Sequence, residues 1–172
     1  ENFPELRLKY RSSHSLQWKG RLYANLKYND IEVSTAPRIE IHLSSEYPFV
    51  LPKVFDTDER FQWEHKYPDN SLCVATEFDL SIGLAGSTCI SDYFERFLFP
   101  YFISYESWKR TGKAVFGERS HGAAGVYESL GAYFKVDVQR TGELKRLLSW
   151  ASKKSRFIKL THKYERASLQ RK

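Results

Sequence analysis

Tyr47-Pro48-Phe49-Val50-Leu51-Pro52-Lys53-Val54-Phe55 and, further along, Asp69-Asn70-Ser71-Leu72-Cys73 are the stretches on which the fold turns. In the first, two prolines force extended backbone around a short apolar segment, so it reads as a bend leading into a strand. From the end of the first, residues 56–72 are a polar run holding Asp56, Asp58, Glu59, Pro68, Asp69 and Asn70, the composition of a loop. That loop delivers the chain to Leu72-Cys73-Val74-Ala75, a short strand whose cysteine stands where loop and strand meet.

Working outward, the even positions from Leu16 to Tyr28 read Leu16, Trp18, Gly20, Leu22, Ala24, Leu26 and Tyr28, with Gln17, Lys19, Arg21, Asn25 and Lys27 between them. Period-two alternation of this kind predicts one half-buried strand. Asn29-Asp30 suits a turn, and after Pro37 a second strand places Ile39, Ile41 and Leu43 on one face, antiparallel to the first. Beyond the cysteine, Ile90, Phe94, Phe97, Leu98 and Tyr101 recur at three-and-four spacing, which predicts a core-facing helix over 90–102 that Pro100 kinks or ends. Further helices are expected at 123–134, through Val126, Tyr127, Leu130 and Phe134, and at 142–152, through Leu144, Leu147, Leu148 and Ala151. Strands first and helices later is the order of an α+β domain with an antiparallel sheet.

At 172 residues the chain can bury one sizeable core, and 41% hydrophobic and 16% aromatic residues supply the side chains for it. The expected organisation is a folded domain over 1–152 and a basic tail over 153–172. Residues 141–172 hold ten Lys/Arg against Glu143 and Glu165, a net +8, which leaves 1–140 at −2 of the total of +6. The tail reads first as a solvated face, although Phe157, Ile158, Leu160 and Tyr164 among its charges would let part of it dock on the domain or on an acidic partner. Lys and Arg alone can contact phosphates, but no groove-reading motif accompanies them, so nucleic acid is not the expected partner. No window approaches the roughly 18 uninterrupted apolar residues of a membrane helix, and the first residues lack the basic-then-apolar layout of a secretory signal. The expected location is the cytoplasm. The sequence opens at Glu1 and holds no methionine, which leaves room for a segment upstream.

Two cysteines are too few for a disulfide scaffold or a cysteine-rich zinc site, so each is judged by its setting. Cys73 lies at a loop-to-strand junction with His65 and Lys66 upstream, an address that suits a nucleophile, while Leu72-Cys73-Val74 is equally the setting of a buried core cysteine. Cys89 precedes the apolar periodicity of the 90–102 helix and reads as a packing or helix-entry residue. Phe61 and Trp63, in an otherwise polar loop, either tuck over the edge of the core or meet a partner.

Tyr47-Pro48-Phe49, then Pro52, a strand, a loop with His65, and Asp69-Asn70-Ser71-Leu72-Cys73 together resemble the ubiquitin-conjugating enzymes in their signature order. Gly117-Glu118-Arg119-Ser120-His121-Gly122 with Gly125 is similar to the bacterial branch of that superfamily, including the conjugating-enzyme-like proteins of antiviral CBASS operons that encode a cGAS-like nucleotidyltransferase. The resemblance spans roughly residues 15–134. It implies an antiparallel β-meander flanked by helices, and Cys73 as the residue that carries an acyl group as a thioester. The eukaryotic pattern sets a His-Pro-Asn triplet before the cysteine, whereas here His65 is followed by Lys66-Tyr67, and Asn70 stands only three residues before Cys73, where a left-handed turn residue is expected.

The site residues expected on this basis are Cys73 as nucleophile, His65 as loop-orienting group or oxyanion donor, and His121 as donor or general base. For His65 the bland alternative is an exposed loop histidine. For His121 it is a capped turn, with Ser120 as N-cap and Glu118 solvated. Tyr47, Pro48 and Pro52 are read as structural. The implied activity is transfer of a protein's activated C-terminal carboxyl, possible cargo being the cGAS-like nucleotidyltransferase, to an amine. No nucleotide-binding glycine loop and no paired-cysteine zinc motif occurs, so no cofactor is expected and adenylation would fall to a separate activating enzyme. The alternatives are a catalytically inactive binding module of the same fold and a nucleic-acid-associated protein acting through the tail.

Overall fold

The computed structural model describes residues 5–135 and Arg146. It forms two compact units, one running to Arg119 and the other beginning at Ser120. The helix expected at 142–152 and the basic tail lie outside the described residues, Arg146 apart.

The first unit is mixed α+β with antiparallel sheets. Its strands are β1 (Arg7–Arg11), β2 (Ser15–Arg21), β3 (Ala24–Tyr28), β4 (Ile31–Thr35), β5 (Arg38–Ser44) and β6 (Lys53–Asp56). A four-stranded sheet has the order β1-β2-β5-β6, and β3 and β4 pair as a separate ribbon. The register of β2 on β5 sets Trp18 opposite Ile41 and Gly20 opposite Ile39, and that of β5 on β6 sets Ile41 opposite Val54.

The alternating run from Leu16 to Tyr28 is therefore two strands rather than one. Its break falls at Leu22-Tyr23, where the chain leaves the larger sheet and the wholly buried Leu22 donates its N–H to the Pro37 carbonyl at 3.0 Å. Within β2, a Cβ at Gly20 would collide with the Glu5 carbonyl oxygen, so the backbone passes there where only glycine fits. β1 and β4 lie outside the expected set, as does the helix α1 (Glu77–Gly83). Thr76 caps α1 by accepting the Asp79 N–H at 3.1 Å, with Glu77 and Asp79 placing negative charge in its first turn.

The apolar periodicity beginning at Ile90 produces α2 (Ile90–Tyr93), a π-helical turn over Phe94–Leu98, and α3 (Phe99–Thr111). Pro100 neither ends nor breaks this run. Its ring would meet the carbonyl four residues back in a regular helix, and the π turn, in which Phe99 N–H reaches the carbonyl of Phe94, supplies an extra residue just ahead of it. α3 continues to Gly112, whose φ of 72° closes the helix as its N–H donates to the Trp108 carbonyl.

The core sits between the larger sheet and α3, around Leu22, Ile39, Ile41, Val54, Phe61, Leu84, Tyr93, Leu98 and Phe102. Burial of the largest, Tyr93, Phe61 and Phe102, is worth roughly 1.5–3 kcal/mol for an aromatic of that size. Phe61 and Phe102 stack at 5.2 Å with rings near parallel, so of the two readings of Phe61 the core is the one realised. The bend at Tyr47 contains a cis Tyr47–Pro48 peptide and is tied down through the Tyr47 hydroxyl, which bonds Ser87 Oγ at 2.9 Å and donates to the Cys89 carbonyl at 3.0 Å.

In the second unit α4 (Ala123–Tyr133) occupies the expected span, with Leu130 buried and Phe134, just past its end, exposed. Its N-cap is Gly122 and not Ser120. The Ser120 N–H and hydroxyl instead donate to the Glu128 carboxylate at 2.9 and 2.5 Å.

Candidate active site

Three backbone contacts build the segment that carries Cys73. Tyr67 N–H donates to the Ser71 carbonyl at 2.9 Å, Cys73 N–H donates to the His65 carbonyl at 3.0 Å, and Lys66 pairs with Leu72 between them. Residues 65–73 are thus a tight antiparallel hairpin. Its turn is Tyr67-Pro68-Asp69-Asn70, closed by Asn70 N–H on the Tyr67 carbonyl at 2.9 Å. Pro68 fixes the second position of the turn, the Asp69 carboxylate accepts the Ser71 N–H and hydroxyl at 3.0 and 2.6 Å, and Asn70 has a φ of 64°. Asn70 is the left-handed turn residue its spacing implied. The outgoing strand is laid on β6: Leu72 N–H reaches the Val54 carbonyl at 2.8 Å, and Asp56 N–H reaches the Asn70 carbonyl at 2.9 Å.

Antiparallel pairing decides which side chains share a face. Residues directly opposite project to the same side, and neighbours along a strand project to opposite sides. His65 lies opposite Cys73 and Tyr67 opposite Ser71, so His65, Tyr67 and Cys73 share one face while Lys66 and Leu72 share the other. Leu72 joins the core there, and Lys66 Nζ comes to 3.5 Å from Oδ2 of Asp56, whose side chain is fully buried. Asp56 Oδ2 also accepts the Phe61 N–H at 2.9 Å, and among the described residues Oδ1 has no hydrogen-bond partner.

On the outer face Cys73 is half-buried, neither sealed in the core nor fully open. A ring nitrogen of His65 lies within 4.8 Å of its sulfur, a separation that one water can bridge for proton transfer. The Cys73 side chain, first through hydrogen bonding and then, with partial burial, through the thiol's charge, pushes the Tyr67 phenol up to about 12. Tyr67 was not among the residues expected from sequence. The signal was available: the turn at 68–70 fixes the hairpin, and Tyr67 is two residues from His65 on the same strand.

A layer from α3 holds the incoming strand. The Tyr101 hydroxyl donates to the His65 carbonyl at 3.1 Å and accepts the Trp63 indole N–H at 2.7 Å. One turn later the Tyr105 hydroxyl donates to the Arg60 carbonyl at 3.0 Å. Trp63 packs edge-on to His65 with ring centres 4.7 Å apart, so it buttresses the loop from within. Burial pushes the Tyr101 phenol far above its ordinary value, which keeps it a hydrogen-bond donor at any ordinary pH.

Cys89 is exposed and is the N-cap residue of α2, which makes it the helix-entry residue and removes the packing alternative. The Ser91 hydroxyl donates to its sulfur at 3.0 Å, and this bond, with the Ser91 backbone N–H, lowers the thiol below its ordinary value. His121 belongs to the second unit, where it is exposed immediately ahead of Gly122. Glu118, the last acidic residue of the first unit, brings one ligand atom within 4.8 Å of those of Glu64 and His65, so these three are the side chains there that could hold a divalent ion; both glutamates are exposed, a common surface pattern without any metal.

No described helix is long and apolar enough to cross a membrane. Compared with protein-family models, with curated proteins and with solved structures, the chain matches none.

Proposed function

We propose that this protein is a cysteine-dependent acyl transferase of the ubiquitin-conjugating type. Cys73 accepts an activated C-terminal carboxyl as a thioester and passes it to an amine, giving an amide or isopeptide bond. The observation that carries this reading is the outer face of the 65–73 hairpin, where a half-buried thiol stands with an imidazole and a phenol on one rigid support. A cysteine retained only for packing would lie on the Leu72 face. A nucleophile needs the opposite: an accessible sulfur, a group that can take a proton, and a donor for developing negative charge.

The cargo in this reading is the C-terminus of another protein, with a cGAS-like nucleotidyltransferase of an antiviral operon as the proposed case, activated by a separate enzyme. The thioester chemistry does not depend on which cargo it is. Intact-mass analysis after exposure to an activated carboxyl donor tests it: Cys89→Ala should form the adduct and Cys73→Ala should not. The reverse pattern would move the nucleophile to Cys89.

One observation favours the second reading, an inactive binding module of this fold. Phe49 is 92% exposed at the tip of the Tyr47 bend, beside an exposed Val50, a pair of apolar side chains better explained by a protein partner than by chemistry. Absence of any adduct on Cys73, with binding lost in Phe49→Ser, would establish that reading instead.

A further inference from the structure

We propose that the Tyr67 hydroxyl is a catalytic hydrogen-bond donor that follows negative charge through acyl transfer at Cys73, from thiolate sulfur to carbonyl oxyanion and back. The inference rests on the thioester reading above and adds the group that stabilises its charged intermediates.

Position comes first. The 65–73 hairpin places Tyr67 and Cys73 on one face by pairing, and both ends of that pairing are backbone bonds: Tyr67 N–H to Ser71 and Cys73 N–H to His65. Pro68 and the left-handed Asn70 fix the turn that joins them. The Cys73 side chain is the foremost influence on the phenol, which it helps raise to about 12, so the two groups interact across that face. Tyr67 is also half exposed, so an incoming acyl group has room beside it.

Chemistry follows from that placement. Once Cys73 has given its proton to solvent or to a nearby base, its thiolate can accept the Tyr67 O–H. When the sulfur attacks an activated carbonyl, the S–C bond forms, the carbonyl π pair moves to oxygen, and that oxygen is bonded to the carbon attached to sulfur. A donor already at sulfur is therefore one bond away from the new charge. Collapse expels the first leaving group and leaves a thioester.

In the second half-reaction an amine nitrogen attacks the same carbon, the oxyanion returns, and the C–S bond breaks with its electron pair on sulfur. The amine's surplus proton leaves to solvent or to a nearby base, and the thiolate again accepts the phenol hydrogen. Tyr67 donates throughout and never loses its proton, which suits a phenol raised to about 12. The neighbouring donors serve other ends: the Tyr101 hydroxyl is committed to the His65 carbonyl and the Ser71 hydroxyl to Asp69.

The test uses the full chain with Cys89→Ser, so that only one thiol reacts. The probe is a short glycine-ended peptide carried as its mercaptoethanesulfonate thioester. Exchange with Cys73 yields peptidyl-Cys73 and free mercaptoethanesulfonate; excess reagent is removed, and free lysine is added as the amine. Discharge is followed by intact mass in a single turnover. Tyr67→Phe should lower the discharge rate on the order of a hundredfold, the usual loss for one oxyanion donor, with an unchanged melting curve.

A second variant guards against misfolding. A fluorinated tyrosine at position 67 keeps the shape of the side chain and makes its phenol more acidic, so discharge should fall as pH rises through that phenol's ionisation, while the unsubstituted protein shows no such fall. A purely structural Tyr67 would leave this profile the same as that of the unsubstituted protein, rising only with deprotonation of the lysine amine. Discharge of Tyr67→Phe at the unsubstituted rate, or a profile for the fluorinated variant that matches the unsubstituted one, overturns the inference and leaves the Cys73 reading standing. If the Cys89→Ser protein takes up no peptide, the thioester reading falls and this inference with it.

Discussion

The carbonyl oxygen of His65 receives two hydrogen bonds at once, from the Cys73 backbone N–H at 3.0 Å and from the Tyr101 hydroxyl at 3.1 Å. Through that one atom the strand of Cys73, the histidine and α3 are coupled. Tyr101→Phe keeps the ring in the core but leaves the Trp63 indole N–H without its acceptor and the His65 carbonyl without one donor. The expected loss of stability is about 1–3 kcal/mol, the cost of leaving a buried polar group unsatisfied. Urea denaturation measures it. In the peptide-discharge assay Tyr101→Phe should slow transfer less than Tyr67→Phe does, because Tyr101 positions the loop and does not touch the sulfur. Full stability in Tyr101→Phe would show that the loop is held by packing alone.

Lys66 and Asp56 form the corresponding anchor on the inner face. Lys66→Met would leave the buried Asp56 carboxylate with the Phe61 N–H as its remaining donor, and breaking a buried pair from one side typically costs roughly 3–5 kcal/mol. Asp56→Asn retains an acceptor for Phe61 and removes the stranded charge, so it should cost less. Equilibrium unfolding of the two variants decides this, and a Lys66→Met protein more stable than Asp56→Asn would contradict the assignment.

Asn70 and His121 separate geometry from chemistry. With Asn70 at a φ of 64°, Asn70→Gly should preserve stability and Asn70→Ala should cost about 1 kcal/mol. Neither should alter discharge from a preformed thioester beyond that. The expectation from sequence that His121 serves as donor or base is tested alongside: it requires His121→Ala to slow discharge more than Asn70→Ala, by up to the hundredfold or so of a lost donor. Single-turnover rates with melting temperatures alongside are the measurement. A slow Asn70→Ala of unchanged stability with a near-normal His121→Ala would return Asn70 to the reaction.

Cys89 gives a pH prediction with a definite sign. Its thiolate accepts the Ser91 hydroxyl and backbone N–H, which favours the charged form and lowers the thiol's ionisation. In a Cys73→Ala background, alkylation of Cys89 should therefore begin at lower pH than that of a free cysteine, and Ser91→Ala should move the rate profile to higher pH. Iodoacetamide kinetics across pH provide the readout; an unmoved profile would mean that the hydroxyl does not reach the sulfur in solution.

What sequence could and could not disclose follows from how local each feature is. The strand around Ile39 and Ile41, the strand at Val54, the turn at Asn70 and α4 are set by side-chain period or by one turn residue, and all were legible. β1 alternates Leu8 and Tyr10 with basic residues, a readable pattern, yet all five of its residues are exposed, so alternation there does not report burial. α1 was announced by Thr76 and two acidic residues and was obscured by its short length. The close passage of Gly20 by Glu5 and the coupling of Tyr101 to His65 join residues 15 and 36 apart. Neither contact leaves a local trace. The same holds for Tyr67: its own sequence reads as a turn flank, and only the pairing of 65–67 with 71–73 turns it toward the sulfur.

The π turn at Phe94–Leu98 has a consequence for the site without touching it. In that turn five residues close the ring that four close in an α-helix, so the extra residue is taken up locally and the helix beyond it keeps its phase. Tyr101 and Tyr105, one turn apart on α3, thereby keep their hydroxyls on the His65 and Arg60 carbonyls. Deleting one residue between Phe94 and Leu98 would restore regular winding without turning the tyrosines, and would carry Pro100 into a turn with no slack ahead of it. One residue inserted between Pro100 and Tyr101 has no wide turn to absorb it; it would rotate both tyrosines by about 100° and release the loop that carries His65.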